Sequence, residues 1–163
     1  MASRIRACLT TAWHQLPHMM RALPFLFLLV AGPAHGWEFS PDPVCTLRHD
    51  GAEAAVEVTF DPRQAEPYAI ALGRRGVPWP DGPVFTMTFE GPRALTIGTD
   101  RHRRAEGGAA LTVTDRGFGN VLDGLEFGDR AVARLANASA RIDLTGAAEP
   151  VAAFRACAAA PMS

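Results

Sequence analysis

Between Ala55 and Thr114, apolar side chains return at every second position, segment after segment. Val56, Val58 and Phe60 alternate with Glu57 and Thr59, and Tyr68, Ile70 and Leu72 repeat the pattern. Phe85, Met87 and Phe89 alternate with Thr86 and Thr88; Leu95, Ile97 and Thr99 form another set, and Leu111 and Val113 a further one. A period of two gathers side chains on one face of a pleated strand. Turn residues separate the runs: Asp61-Pro62, Gly73 to Gly76, Glu90-Gly91-Pro92 and Glu106-Gly107-Gly108. No long helical period lies between them. Strands so spaced predict a mainly β fold, an antiparallel β-sandwich or barrel, and argue against a parallel α/β sheet. Trp37 and Phe39 carry the pattern toward the N-terminus, Leu47 continues a short first strand, and His49-Asp50-Gly51 reads as a turn. Two weaker strands, 131–135 and 140–144, are expected later, joined by a turn at Asn137.

Two stretches break the alternation. From Asp115 to Gly128 the chain is punctuated by glycine, and Phe118, Val121, Leu122 and Leu125 recur at helical spacing. That predicts a short helical turn near 118–125, plugging an end of the β-structure. From Glu149 to Ala158, Val151, Phe154, Cys157 and Ala158 fall on one helical face, with Arg155 opposite. Pro150 suits the first turn, where its missing N–H costs nothing. So short a C-terminal helix is not stable alone and must dock on something larger.

Ahead of these elements, residues 1–36 read as a signal peptide. Arg21 precedes an apolar run, Ala22 to Ala31, and small residues follow up to Trp37. The run is shorter than the roughly 20 residues a membrane-spanning helix needs. Met19 and Met20 are alternative starts. Cleavage before Trp37 leaves 37–163 as a single β-rich domain, periplasmic or secreted, with no stable membrane insertion. Cys8 leaves with the leader. Cys45 and Cys157 remain, an even pair in an exported chain, and are predicted to form a disulfide.

The chain has 16 basic residues, all arginine, against 17 acidic ones. Removing the leader's arginines makes the remainder more acidic, which argues against nucleic acid as a partner. No serine sits in a G-x-S-x-G elbow, and no Walker loop or metal-ligand spacing occurs. No catalytic residue, metal or cofactor is assigned. Two segments are candidate binding surfaces because arginine and tryptophan dominate interface hot spots. One is Arg74, Arg75 and Trp79; the other is Arg101, His102, Arg103 and Arg104. The plainer alternatives are a Trp79 packed inward and a solvated hairpin whose arginines pair with Asp100 and Glu106.

Trp37-Glu38-Phe39 with Cys45, Thr99-Asp100-Arg101-His102, the Asp115–Phe127 stretch and Ala153-Phe154-Arg155-Ala156-Cys157 together resemble a small family of exported Gram-negative proteins. Some members of that family carry an excinuclease label. The resemblance spans nearly all of the chain after the leader and implies no activity. Leu144-Thr145-Gly146 before an Ala-rich helix is similar to the end of the invasion-associated locus B family, which implies a β-domain closed by a C-terminal helix. The expectation is a non-enzymatic periplasmic binding or accessory module contacting an envelope protein or cell-wall component. The alternatives are a small hydrolase using Asp100 and Asp115, and a periplasmic inhibitor of a wall-degrading enzyme.

Overall fold

Alternation becomes ten strands in the computed structural model, which describes residues 36–160. Of the leader expected at 1–36, residues 1–35 lie outside the described residues. In chain order the elements are β1 (Trp37–Ser40), β2 (Cys45–Asp50), β3 (Ala54–Phe60), β4 (Tyr68–Arg74), β5 (Phe85–Glu90), β6 (Leu95–Thr99), β7 (Arg103–Arg104), β8 (Leu111–Asp115), α1 (Gly119–Phe127), β9 (Arg130–Leu135), β10 (Ala138–Asp143) and α2 (Ala148–Ala159). A 3-10 turn, Glu106–Gly108, joins β7 to β8.

The strands form two antiparallel sheets, not a closed barrel. One has six strands in the order β1-β2-β3-β4-β8-β7; the other has four, β10-β9-β5-β6. Registers follow the apolar rows. Leu47 lies opposite Val58, Val58 opposite Ile70, and Ile70 opposite Val113. In the second sheet Met87 lies between Ile97 and Ala133. These inward rows make the core, in which Leu47, Val58, Leu72, Phe89, Leu111 and Leu135 are fully buried. The sandwich is therefore built from residues two apart, as expected.

The helices cover what the strands leave open. Val151 and Phe154 of α2 are fully buried, and α2 packs on β1, β2 and α1. Cys157 forms a disulfide with Cys45 at the start of β2, with Cα atoms 6.0 Å apart. Arg155 faces α1 and pairs with Asp123 and Glu126. The expected single turn near 118–125 is a nine-residue helix, so the stretch continues through Phe127. Gly124 permits this helix to lie against β5, since a Cβ there would overlap the Phe89 ring.

Two details differ from the sequence expectation. His49-Asp50 is not a turn: β2 runs through Asp50, and the turn is closed by the Gly51 N–H donating to the Ala54 carbonyl at 2.9 Å. His49 is consequently buried, stacked on Trp37 with ring centroids 4.7 Å apart. The first strand is two strands, β1 and β2, paired as a hairpin with Trp37 opposite His49. The Trp37 indole N–H donates to the Asp143 carbonyl at 3.0 Å and so ties β1 to the other sheet.

Removing the Cys45–Cys157 bridge, which spans 112 residues, should lower stability by roughly 4–5 kcal/mol on the chain-entropy account. Urea unfolding of the Cys45→Ala/Cys157→Ala chain against the oxidised wild type measures it. An unchanged midpoint would show that α2 docks without the bridge.

Candidate functional site

The seven predicted binding residues do not form one surface. Three of them organise around Trp79, which is 1 % exposed and belongs to the core. Its indole N–H donates to the Leu72 carbonyl at 2.8 Å. The Arg74 guanidinium lies 5.3 Å from the ring centroid and donates to the Pro78 carbonyl at 3.0 Å. Arg104 donates to the Trp79 carbonyl at 2.8 Å and pairs with Asp81. The Trp79 backbone N–H in turn donates to the Gly108 carbonyl at 2.8 Å. Gly108 has φ +73°, and a Cβ there would overlap the Trp79 carbonyl oxygen. Trp79 is thus packed inward, the plainer of the two expectations, and its ring offers a partner no surface.

The remaining residues scatter. Arg75 pairs with Asp50 at the β2–β3 turn. Arg103 is exposed on β7, whose two residues pair with Thr112 and Leu111. The hairpin expected here contains a true strand, and its arginines pair with neither Asp100 nor Glu106. His102 sits beside Phe85, ring centroids 6.4 Å apart.

Arg101 stands at the rim of a cleft of about 580 Å³ that enters between the sheets. Ile70, Phe85, Met87 and Val113 form its apolar floor, Ile97 its wall on β6, and Phe118 and Val121 its wall at α1. Asp100, Arg101, Asp115 and Asn120 supply the polar rim. The cleft follows from strand lengths. β7 is too short to extend along β8 beyond Thr112, so Val113 to Asp115 has no neighbouring strand on that side. Across this gap Arg101 reaches Asp115 and approaches Glu66 at 3.7 Å. Thr114 donates to the same Glu66 carboxylate.

Asp100 and Asp115, the pair nominated for hydrolysis, both line this cleft. The Arg116 backbone N–H at 2.6 Å holds Asp115 below its ordinary value of 3.8, and Arg101 lowers it further. A carboxylate so held keeps its charge at neutral pH and is poorly suited to share a proton. Asp100 is exposed and makes no ion pair among the described residues. Among those residues no group of three or more His, Cys, Asp or Glu side chains is placed to hold a metal ion.

The sequence reading missed Glu66, Ile97 and Val121 as parts of the site. Glu66 has no local signal, because its partner Arg101 lies far along the chain. Ile97 was visible as a strand residue. Its place beside an open edge depends on which strand is outermost, which periodicity does not encode.

Other recesses are less enclosed by the core. One is a trough over Ala55, Ala71 and Gly73 on the outer face of the larger sheet, and another lies beside Glu53 and Arg141.

No family model matches the chain, and no curated protein or solved structure matches it either.

Two outcomes test the assignment. Trp79→Ala should destabilise the fold by about 3–5 kcal/mol, as other buried aromatic truncations do, whereas exposed Arg103→Ala should stay within about 0.5 kcal/mol. A Trp79→Ala chain of wild-type stability in urea would remove Trp79 from the core. For Asp115 the folded pKa is depressed, so its stabilisation is fully present above the ordinary value of 3.8 and is lost as pH falls through the folded pKa. The unfolding midpoints of wild type and Asp115→Asn should differ at neutral pH, begin to approach one another as pH falls past 3.8, and converge only below the lower folded pKa. A pH-independent difference would contradict the ionised role.

Proposed function

We propose that this chain is a non-enzymatic binding module of the cell envelope, working in the periplasm or outside the cell, and that it holds its ligand in the cleft between β6 and β8. The observation that carries this reading is the cleft itself: core side chains form its floor, and a fixed guanidinium stands at its rim. Sites that take ligands are concave, largely apolar and carry a few placed polar groups. Arg101 remains 55 % exposed although it is paired, so it can meet an acidic or carbonyl group of the ligand. The disulfide supports an oxidising compartment. No helix among the described residues is long and apolar enough to cross a membrane. An inhibitor of a wall-degrading enzyme is one form of the same module, the enzyme being the ligand. The hydrolase reading keeps the location of Asp100 and Asp115 in its favour and has the Arg101–Asp115 pair against it.

Gly119 gives a clean block. Gly119 lines the cleft and a Cβ there meets no atom within 4 Å, so Gly119→Trp adds bulk at the lining without a backbone clash. A photoreactive residue at Asn120, in the chain produced by its own host, should give a discrete crosslinked product in the envelope fraction. Adding Gly119→Trp should abolish that product while the unfolding midpoint stays unchanged. No product, or a product indifferent to Gly119→Trp, would sink the cleft as the binding site.

A further inference from the structure

The sandwich has four outer strands: β1 and β7 in the larger sheet, β10 and β6 in the smaller. An outer strand presents unpaired N–H and C=O groups and invites another chain, so soluble proteins guard such edges with charge, proline or cover. β1 carries Glu38, β7 is two arginines, and β10 carries Arg141 and Asp143. β6 is Leu95-Thr96-Ile97-Gly98-Thr99, with neither charge nor proline. It is the edge that borders the cleft, and Ile97 lines that cleft.

We infer that the ligand of this cleft is an extended peptide segment of another protein, added antiparallel to β6 as a further strand. Alternate apolar side chains of that segment enter the cleft beside Ile97 and face Val113 of the opposite sheet. The inference rests on the cleft being the binding site and names what enters it. Strand addition gives affinity through main-chain hydrogen bonds and specificity through alternate side-chain pockets, and the cleft supplies the pocket.

Charge sets the direction. Asp100 follows the C-terminal end of β6, and Arg93 precedes its N-terminal end. Neither makes an ion pair among the described residues. The Arg93 guanidinium rests 4.2 Å from the Phe127 ring centroid, beside the start of the edge. A strand running antiparallel to β6 brings its own N-terminal end to Asp100 and its C-terminal end to Arg93. The fitting segment therefore starts with Lys or Arg, alternates Val or Ile with Thr, and ends with an acidic residue. A second copy pairing β6 to β6 about Ile97 would set Arg93 against Arg101, two like charges, and is disfavoured.

The test uses the full chain and fluorescent peptides of about six residues, a usual strand length, with Lys first, alternating Val and Thr, and Glu last. Binding is read by anisotropy. Backbone N-methylation of one alternate set of peptide residues should weaken binding about tenfold or more, the loss of roughly one or two main-chain hydrogen bonds, while the other set tolerates it. The charge-swapped peptide should bind more weakly, and the Arg93→Asp/Asp100→Arg chain should reverse that preference.

Equal tolerance of both methylation sets, with Gly119→Trp still abolishing binding, would overturn strand addition and leave the cleft as a site. Absence of peptide binding would also overturn it, and the Asn120 crosslinking result then decides the cleft separately. A dimer in sedimentation that Ile97→Lys dissociates would give the edge to a second copy and overturn the inference.

Discussion

Two sheets of unequal width must hide one common apolar interior. Most of the structure can be understood as the solution to that mismatch. Six strands face four; β10 lies against β3, and β1 reaches it through the Trp37 indole. The inner face at β1 and β2 would otherwise meet water at Leu47. α2 covers it with Val151 and Phe154, side chains worth roughly 1.5–3 kcal/mol each when fully buried. The bridge to Cys45 holds α2 against the strands it covers. On the other flank the mismatch is resolved only in part. α1 closes one end with Leu122 and Leu125, and the gap beyond β7 remains as the cleft.

The turn end of β7 is held by the Trp79 loop. That loop is bound on one side to Leu72 and on the other to Gly108 and Arg104. The Ala105 N–H donates to the Ala110 carbonyl at 2.8 Å, so the chain turns back directly after two strand residues. A buried indole thus anchors the turn end of β7, and the cleft opens at its other end, where residues 100–102 do not pair with Val113 to Asp115. The arginines that looked like a binding surface brace this arrangement. Arg74 and Arg104 hold the Trp79 loop, and Arg101 spans the opening.

The alternating rows at Val56–Phe60, Phe85–Phe89 and Leu111–Val113 were legible because burial on one face forces a two-residue period whatever the neighbours are. The closing helix was legible for the same reason at a longer period. The residues misplaced were those whose surroundings come from distant chain. His49 looked like part of a turn because Asp50-Gly51 follows it, yet Trp37 stacks on it and draws it inward. Arg101 was legible as a candidate binding residue, but its partners Glu66 and Asp115, which come from other elements, were not. The leader stands on sequence pattern, while the Cys45–Cys157 bridge fits an oxidising compartment without naming which. The cleft was the least legible part, since it is a space between elements and no residue type marks it.

The bridge also ties the state of two thiols to how much of the chain exists. Synthesis delivers Cys45 early and Cys157 near the end, 112 residues later. A chain cut short before Phe154 keeps Cys45 as a free thiol and leaves Leu47 uncovered, both at the same edge. Such a fragment leaves a free thiol beside an apolar surface, two marks of an unfinished fold. The finished chain removes both marks in one act of closure, so oxidation of this molecule reports that its last helix has arrived.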